Sequence, residues 1–175
     1  MHEMKQILFR RAEAHECPMI WQIVERAIRR LGAAGVDQWQ HGYPNPARIE
    51  QDVAEGAGYV LVRAGRIVAY GAVIFTGEPA YVAIEGAWLT SPDTAYVVVH
   101  RLCVAEAALG QGLGRCFMAQ VEQLAAGRVT SVRVDTHADN PIMHTLLQQM
   151  GFRRCGIICF ESRYLVAYEK VLVRV

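Results

Sequence analysis

A cluster of glycines near the middle of the chain is the sequence feature with the clearest chemical potential. The segment Leu109-Gly110-Gln111-Gly112-Leu113-Gly114-Arg115 separates a valine-rich stretch from an amphipathic one. The first turn of a helix has unpaired backbone N–H groups and a partial positive charge, and glycines let an anion approach the main chain closely. We therefore predict that the main chain of residues 110–115 binds a phosphate or pyrophosphate group.

The spacing of these glycines does not match two common nucleotide-binding motifs. A dinucleotide-binding G-x-G-x-x-G needs a glycine where this chain has Arg115, which disfavours a nicotinamide-dependent oxidoreductase. A P-loop needs a lysine directly after its last glycine, and no lysine follows Gly110, Gly112 or Gly114. The G-x-G-x-G pattern alone leaves open a tight strand-to-helix turn that binds no ligand.

Alternating strands and helices are predicted to position this turn. Apolar residues at helical spacing (Leu113, Phe117, Val121 and Leu124) predict a helix directly after it, and Asn140-Pro141 predicts the start of another that stops at Gly151. Residues 76–93 show no regular pattern. The predicted strands cover residues 4–10, 59–62, 66–75, 96–104, 128–136, 152–160 and 164–173, and further helices begin near Pro18 and Asn45.

Composition narrows the class of protein. With 175 residues and a formal net charge of +1, the chain fits a single domain over residues 1–175 and gives no reason to expect a nucleic-acid or membrane partner. The apolar runs are too short to span a membrane, and the first five residues do not resemble a secretory signal. Five cysteines without a CxxC pair predict reduced thiols, no metal site and a cytoplasmic protein.

Two motifs, together with the order of these elements, resemble the GNAT N-acetyltransferase superfamily. The first, Q/R-x-x-G-x-G/A, corresponds to residues 109–114, and the second, an Asn that opens a helix ending L-Y-x-x-x-G-F, to residues 140–152. Bacterial members with an Ile-His-Arg-like strand and an Asp-Thr-His-x-Asp-Asn segment look most similar, here residues 99–101 and 135–140. The resemblance implies an α/β (α+β) fold: a mixed, mostly antiparallel sheet of six to seven strands, flanked by about four helices and splayed between its two central strands.

The same resemblance implies acetyl-CoA as the cofactor, with its pyrophosphate on the backbone of residues 110–115. The pantetheine arm would pair like an added strand with the strand edge at Leu102, Cys103 and Val104. A backbone N–H at that edge can polarise the thioester carbonyl. Asn140 would contact the arm, cap its own helix, or do both.

By similarity to the family, a primary amine attacks the thioester directly, without a covalent enzyme intermediate. An alkyl amine is mostly protonated near pH 7, so a base must remove a proton. Asp135 matches the position where relatives acting on protein N-termini carry Glu or His; His137 is predicted on the same face, and His100 on the neighbouring strand. Instead of a catalytic role, Asp135 can form an ion pair with Arg133, and His137 can form a hydrogen bond within a turn.

Two residues depart from the family pattern. Leu109 replaces Gln or Arg at a position that acts mainly through its backbone, and Leu147 replaces the Tyr that protonates the departing thiolate in many members. Water, Cys103, His144 or a tyrosine from another segment is left as the proton source. As a residue beside the thioester, Cys103 is expected to be packed in the strand rather than to act as a nucleophile.

Two functions from different classes follow. The first is a cytoplasmic GNAT-type N-acetyltransferase whose acceptor is a small polyamine or amino compound, an aminoglycoside-like molecule or a protein α-amine. The second, favoured by Leu147, is an acyl-CoA-binding module with little or no catalysis. A homodimer is left open in both. Four residues are candidates for the walls of an acceptor pocket or for core packing: Trp39, His41, Tyr43 and Trp88.

Overall fold

The computed structural model describes residues 6–173, which form one eight-stranded sheet flanked by four α-helices. The order of strands across the sheet is β1-β2-β3-β5-β6-β8-β7-β4. The strands are β1 (Ile7–Arg11), β2 (Gly58–Arg63), β3 (Arg66–Ile74), β4 (Glu85–Gly86), β5 (Tyr96–Val104), β6 (Ser131–Thr136), β7 (Arg153–Phe160) and β8 (Arg163–Val171). The helices are α1 (Cys17–Ala33), α2 (Pro46–Ala54), α3 (Leu113–Ala125) and α4 (Pro141–Gln149).

The predicted fold class is confirmed, with one strand more than the six to seven expected. The extra strand, β4, has two residues and lies in the segment where the sequence shows no periodicity. It pairs with β7 through two glycines, because a Cβ on Gly86 would lie 2.2 Å from the carbonyl oxygen of Cys155. A pair this short has no alternation of side chains by which it can be recognised. Residues 4 and 5 of the predicted first strand lie outside the described residues.

Local chemistry fixes the helix starts near the glycine turn. The side chain of Asn140 accepts a hydrogen bond from the backbone N–H of Met143 at 3.2 Å, and Pro141 follows it at the first helical position. Asn45 and Pro46 begin α2 in the same way. Such a cap contributes about 1 kcal/mol, and proline at this position loses no hydrogen bond. Among the described residues, no helix is long and apolar enough to cross a lipid bilayer.

The sheet has a hydrophobic core on each side. Val97 and Val99 of β5 pack beneath α3 and α4, together with Phe117 and Leu147. We call this side of the sheet the α3–α4 face. On the opposite side, the α1–α2 face, Cys103 of the same strand packs in a second core that includes residues of α1 and α2. Residues 97, 99 and 103 are an even number of positions apart, so strict alternation would place all three on one face. The alternation of β5 therefore shifts between Val99 and Cys103.

The sheet opens between β5 and β6, the one parallel pair among the described strands. Their pairing runs from Tyr96↔Ser131 to Val99↔Val134 and then ends. Both strands continue, β5 to Val104 on the edge of β3 and β6 to Thr136 on the edge of β8. The predicted splay between the two central strands is thereby confirmed, and it leaves one edge of β5 unpaired from residue 100 onward.

A bulge in β5 lies at the start of this unpaired edge. Arg101 and Leu102 both lie opposite the single residue Gly71 of β3. Arg101 has a φ of 56°, in the left-handed region that is uncommon for a residue other than glycine. As a result, the side chains of His100 and Arg101 both lie on the α1–α2 face, where regular alternation would direct one of them toward α3.

A buried ion pair fixes the irregular segment that precedes β5. Glu169 of β8, fully buried, bonds to Arg133 at 3.0 Å and accepts hydrogen bonds from Thr90 and Ser131. Burial raises the pKa of Glu169, but the hydrogen bonds from Ser131, Thr90 and Arg133 together hold it below its ordinary value. The resulting stabilisation of the folded state is complete above the pKa that Glu169 has in the unfolded chain. It is lost as the pH falls through the lower pKa that Glu169 has in the folded protein.

We expect Glu169→Ala to lower the free energy of unfolding by about 3–5 kcal/mol, because it leaves the Arg133 guanidinium buried without its partner. Urea denaturation at neutral pH measures the change. Glu122→Ala is the matched control, since the Glu122–Lys170 pair is partly exposed and should cost at most about 1 kcal/mol. Equal losses in the two variants would contradict this role of the buried pair.

Candidate active site

A groove of about 530 Å³ runs along the α3–α4 face beside the unpaired edge of β5. One wall is the turn that precedes α3, and the other is the outer side of α4. Most of its lining is apolar or main chain, with Val104 of β5 at one end. The residues that line it include Leu109, Gly110, Gly112, Gly114, Arg115, Pro141, Ile142, Thr145 and Leu146.

The glycine turn presents its main chain to open space. Gly112 is the N-cap of α3 with a φ of 73°, and a Cβ added at Gly110 or Gly112 would have no atom within 4 Å. No hydrogen bond joins the backbone N–H groups of residues 110–115 to another described residue. These consecutive donors at a helix N-terminus form the kind of site that binds a phosphate or pyrophosphate. The geometry therefore fits the predicted diphosphate site.

The open edge of β5 offers further main-chain groups that no neighbouring strand pairs with. Ala105 donates its N–H to Val68 of β3 at 2.8 Å. Because alternate residues of a strand bond to opposite sides, the main-chain groups of Leu102 and Val104 lie on the open side. The Val104 carbonyl there accepts a hydrogen bond from Nη2 of Arg30 at 3.2 Å, while Nη1 of Arg30 is buried without a partner among the described residues.

Cys103 does not share this orientation, which corrects its predicted place in the cofactor site. It pairs with Tyr70 of β3, and its side chain is packed in the core of the α1–α2 face. Burial raises the pKa of the Cys103 thiol to about 12. A protonated thiol that points away from the groove is neither a nucleophile nor a proton donor for a thioester bound there.

Asn140 has two structural partners. Besides capping α4, it donates from Nδ2 to the side-chain oxygen of Gln38 at 2.8 Å. The same oxygen accepts a hydrogen bond from Thr136, the last residue of β6, at 3.3 Å. The loop between α1 and α2 is thereby tied to the point where the sheet opens. The predicted contact of Asn140 with the cofactor stays a prediction.

On the α1–α2 face of the same opening, His100 lies between two carboxyl groups. Its Nε2 is 2.9 Å from Glu78, and its Nδ1 is 3.6 Å from Oδ2 of Asp135. Tyr81 donates its hydroxyl to the same Asp135 oxygen at 2.6 Å. The side chains of His100 and Asp135 are only 6% and 7% exposed, so water screens their charges poorly.

The two carboxyl groups have different proton affinities. Burial raises the pKa of Asp135 above its ordinary value, although the charge of His100 and the hydrogen bond from Tyr81 oppose the shift. Burial also acts on Glu78, but hydrogen bonds from His100 and from the backbone N–H of Ala80 lower its pKa below the ordinary value. Glu78 is therefore the ionised partner of His100, and Asp135 is the carboxyl group that can take up a proton most readily.

Arg101, the neighbour of His100, is neutralised within the protein. Its guanidinium makes two hydrogen bonds of 2.7 Å to Asp52 of α2, and a third to the hydroxyl of Tyr43. Asp52 also accepts the hydroxyl of Tyr70 at 2.7 Å. Because every partner is buried or nearly so, this cluster holds the bulge of β5 in place rather than presenting a free charge to a substrate.

Of the three candidate bases, Asp135 and His100 lie side by side in the structure, whereas His137 does not join them. β6 ends at Thr136, so the alternation that predicted a shared face does not extend to His137. The ring of His137 instead accepts the backbone N–H of Asp139 at 3.2 Å, which is the contact that the turn alternative expects. The alternative for Asp135 is wrong, because Arg133 is paired with Glu169.

The four aromatic and histidine candidates for an acceptor wall are placed differently from one another. Tyr43 packs edge-on against Phe160 at 5.3 Å, close to His100, and so lies at the site. Trp88 packs behind Tyr81. His41 is exposed and bonds to Asp37, while Trp39 packs against the core of the α1–α2 face. Within residues 6–173, no cluster of three metal-binding side chains is present.

Sequence reasoning missed Glu78, Tyr81 as a partner of Asp135, and Gln38. All three belong to segments without strand or helix periodicity, and each reaches its partner across more than 20 residues of sequence. The only local signal is Glu78-Pro79, where the Glu78 side chain caps a short 3-10 helix that contains Tyr81.

Comparison with known proteins agrees with this geometry. The profile of the Acetyltransferase (GNAT) family matches residues 18–152. A GNAT-family acetyltransferase structure from Streptococcus agalactiae is 30% identical, with a TM-score of 0.88 and 96% of each chain covered. One from Listeria monocytogenes is 22% identical, with a TM-score of 0.76 and 95% of each chain covered. Comparison with curated protein sequences finds no significant match.

A structure from Salmonella typhimurium, described as an acetyltransferase with its cofactor acetyl-CoA, shares the fold. It is 16% identical, with a TM-score of 0.66, and the match covers 97% of this chain and 95% of that one. The chain described here belongs to the acetyltransferase (GNAT) family. It is thus an acetyltransferase that uses acetyl-CoA, and family membership supports transfer to nitrogen.

We expect Gly112→Glu to weaken the binding of acetyl-CoA at least about tenfold, because the new carboxylate repels a diphosphate at the same amides. Isothermal titration calorimetry measures the affinity. Gly127→Glu is the matched control: Gly127 has nearly the same φ, 74°, and likewise open space around it, so the backbone cost is similar. An affinity lowered equally in both variants, or in neither, would contradict the diphosphate site.

Proposed function

We propose that this protein transfers an acetyl group from acetyl-CoA directly to a primary amine that reaches the opening from the α1–α2 face. The observation that carries the proposal is the arrangement of two sites on either side of one gap in the sheet. Unpaired main-chain donors line the α3–α4 face, and His100 with two carboxyl groups lines the other. When bound, acetyl-CoA supplies the thioester carbonyl carbon that the amine attacks.

Main-chain N–H groups bind acetyl-CoA, the acetyl donor. The N–H groups of residues 110–115 bind the diphosphate, and those of Leu102 and Val104 pair with the amide groups of the arm. Of these, the Leu102 N–H lies nearest to the place where β5 and β6 part, and it polarises the thioester carbonyl. Since the glycine turn and the strand fix the positions of these N–H groups before acetyl-CoA binds, the protein backbone reorganises little on binding.

Asp135 takes a proton from the ammonium group of the acceptor, directly or through one water, and so frees the lone pair with which the neutral amine attacks. Its raised pKa makes it a stronger base than an exposed aspartate, and Tyr81 fixes the orientation of its carboxyl group. His100 is a positioning residue: held by the ionised Glu78, it places Nδ1 3.6 Å from Asp135, and its charge stabilises the Asp135 carboxylate.

The acceptor is a small cationic amine. Two carboxyl groups and the rings of Tyr43, Tyr81 and Phe160 suit an ammonium group on a slender chain. The loop between α1 and α2 also reaches the turn between β7 and β8, through a 2.7 Å ion pair of Asp37 with Arg163. These contacts narrow the path by which an acceptor reaches the opening from the α1–α2 face. A narrow path favours a small amine over the surface of a folded protein.

A binding module without catalysis is the second candidate, and one observation favours it. Leu147 is fully buried in the core, so the position of the usual tyrosine offers no proton donor. Release of CoA from acetyl-CoA, followed with a thiol reagent across a panel of small amines and short peptides, separates the two. Turnover with a small amine supports the enzyme; tight CoA binding without turnover on the whole panel supports the module.

We expect Asp135→Asn to lower kcat about 100-fold, the size of a typical general-base contribution. In the unaltered protein, kcat falls as the pH drops through the raised pKa of Asp135, because the protonated carboxyl cannot accept a proton. The variant lacks this dependence. Asp139→Asn, at a side chain that is 70% exposed, is the control and should behave like the unaltered protein. An unchanged pH profile for Asp135→Asn would eliminate Asp135 as the base.

A further inference from the structure

Leu147 cannot donate a proton to the departing thiolate, and the structure offers another candidate for that role. His144 lies three residues before Leu147 on α4, so the two share one side of the helix. Beneath them lies Tyr168 of β8, a nearly fully buried member of the same core as Leu147. Nδ1 of His144 and the hydroxyl oxygen of Tyr168 are 2.6 Å apart, a short hydrogen bond.

The surroundings of the His144 ring determine where its protons are. Nε2 lies 3.1 Å from each of the carbonyl oxygens of His137 and Ala138. Because a carbonyl oxygen can only accept, Nε2 carries a hydrogen in either charge state. Nδ1 is then the nitrogen whose hydrogen differs between the two charge states of the ring. In the neutral ring, Nδ1 accepts the hydrogen bond of the Tyr168 hydroxyl. When His144 is cationic, Nδ1–H donates to the tyrosine oxygen and frees the tyrosine hydrogen for another acceptor.

The pair lies at the opening of the sheet. Tyr168 is the partner of Val134, the last residue of β6 that still pairs with β5. The carbonyl groups that hold His144 belong to residues just beyond the end of β6. The side chains therefore span the level at which the two strands part. They lie on the α3–α4 face, beneath the helix whose outer side lines the groove.

We infer that the Tyr168 hydroxyl protonates the departing CoA thiolate and that His144 resupplies the proton. The carbon–sulfur bond breaks, and its electron pair stays on sulfur. An S–H bond forms as the tyrosine O–H breaks; the tyrosine oxygen then takes the proton from Nδ1, which leaves His144 neutral until solvent protonates it again. The inference rests on the proposed acetyl transfer, since it assigns the acid of that reaction.

The direct test measures the thiol of bound CoA rather than turnover. A hydroxyl that donates to the sulfur stabilises the thiolate, so we expect bound CoA to ionise about one pH unit higher in Tyr168→Phe than in the unaltered protein. Ultraviolet absorbance of the thiolate follows the titration at saturating CoA. Tyr164→Phe, on the same strand but 76% exposed, is the matched control and should leave the titration unchanged.

A kinetic test is independent of the titration. We expect Tyr168→Phe to lower kcat about tenfold, because only water is then left to protonate the thiolate, and Tyr164→Phe to leave kcat unchanged. Should Tyr168→Phe fold poorly by circular dichroism, His144→Gln, at a half-buried residue, tests the resupply step instead, and an unchanged kcat in this variant overturns the inference. An unshifted thiol titration overturns the inference even when acetyl transfer proceeds. Absence of CoA release in the unaltered protein overturns the proposed transfer instead. The thiol titration does not depend on turnover, so it still tests whether Tyr168 donates to the sulfur of bound CoA.

Discussion

The early end of one parallel strand pair is the constraint on which the rest of the site depends. After Val99 and Val134, β5 and β6 no longer pair, yet each continues along its other neighbour. An unpaired strand edge in the middle of a sheet leaves main-chain N–H and C=O groups that water or a ligand must satisfy. Here the edge lies beside a groove whose far end is a row of free helix N-terminal amides, so one extended ligand can satisfy both.

Two buried ion pairs hold this unusual edge and its surroundings. The Asp52–Arg101 pair holds the left-handed residue of the bulge, and the bulge places the Arg101 side chain on the same face as its neighbour His100. The Glu169–Arg133 pair anchors the segment that leads to β5, and this segment carries Glu78 and Tyr81. Buried pairs of this kind contribute modest net stability but penalise other arrangements strongly, because an unpaired buried charge is costly. The charges thus determine where the catalytic candidates lie.

Much of this was predictable from the sequence, for identifiable reasons. A valine-rich run located β5 over residues 96–104, helical spacing located α3 after the glycines, and Asn140-Pro141 located α4. The position of the glycines between a predicted strand and a predicted helix located the turn amides, and the diphosphate at these amides stays a prediction. The bulge was not predictable, because its left-handed residue is an arginine that a distant Asp52 stabilises. Cys103 was assigned to the open edge together with both of its neighbours, although alternate residues of a strand bond to opposite sides. Glu78 was also hidden, because it reaches His100 from a segment without periodicity.

Amide hydrogen exchange with and without acetyl-CoA tests the open edge most directly. If the arm of the ligand pairs with β5, exchange at Leu102 and Val104 slows at least about tenfold on binding, as it does at residues 110–115. Val98, which already lies in the paired part of β5, then changes little. Protection confined to the glycine turn, with no change at Leu102 and Val104, would contradict the account, because the ligand would then bind without filling the gap between the strands.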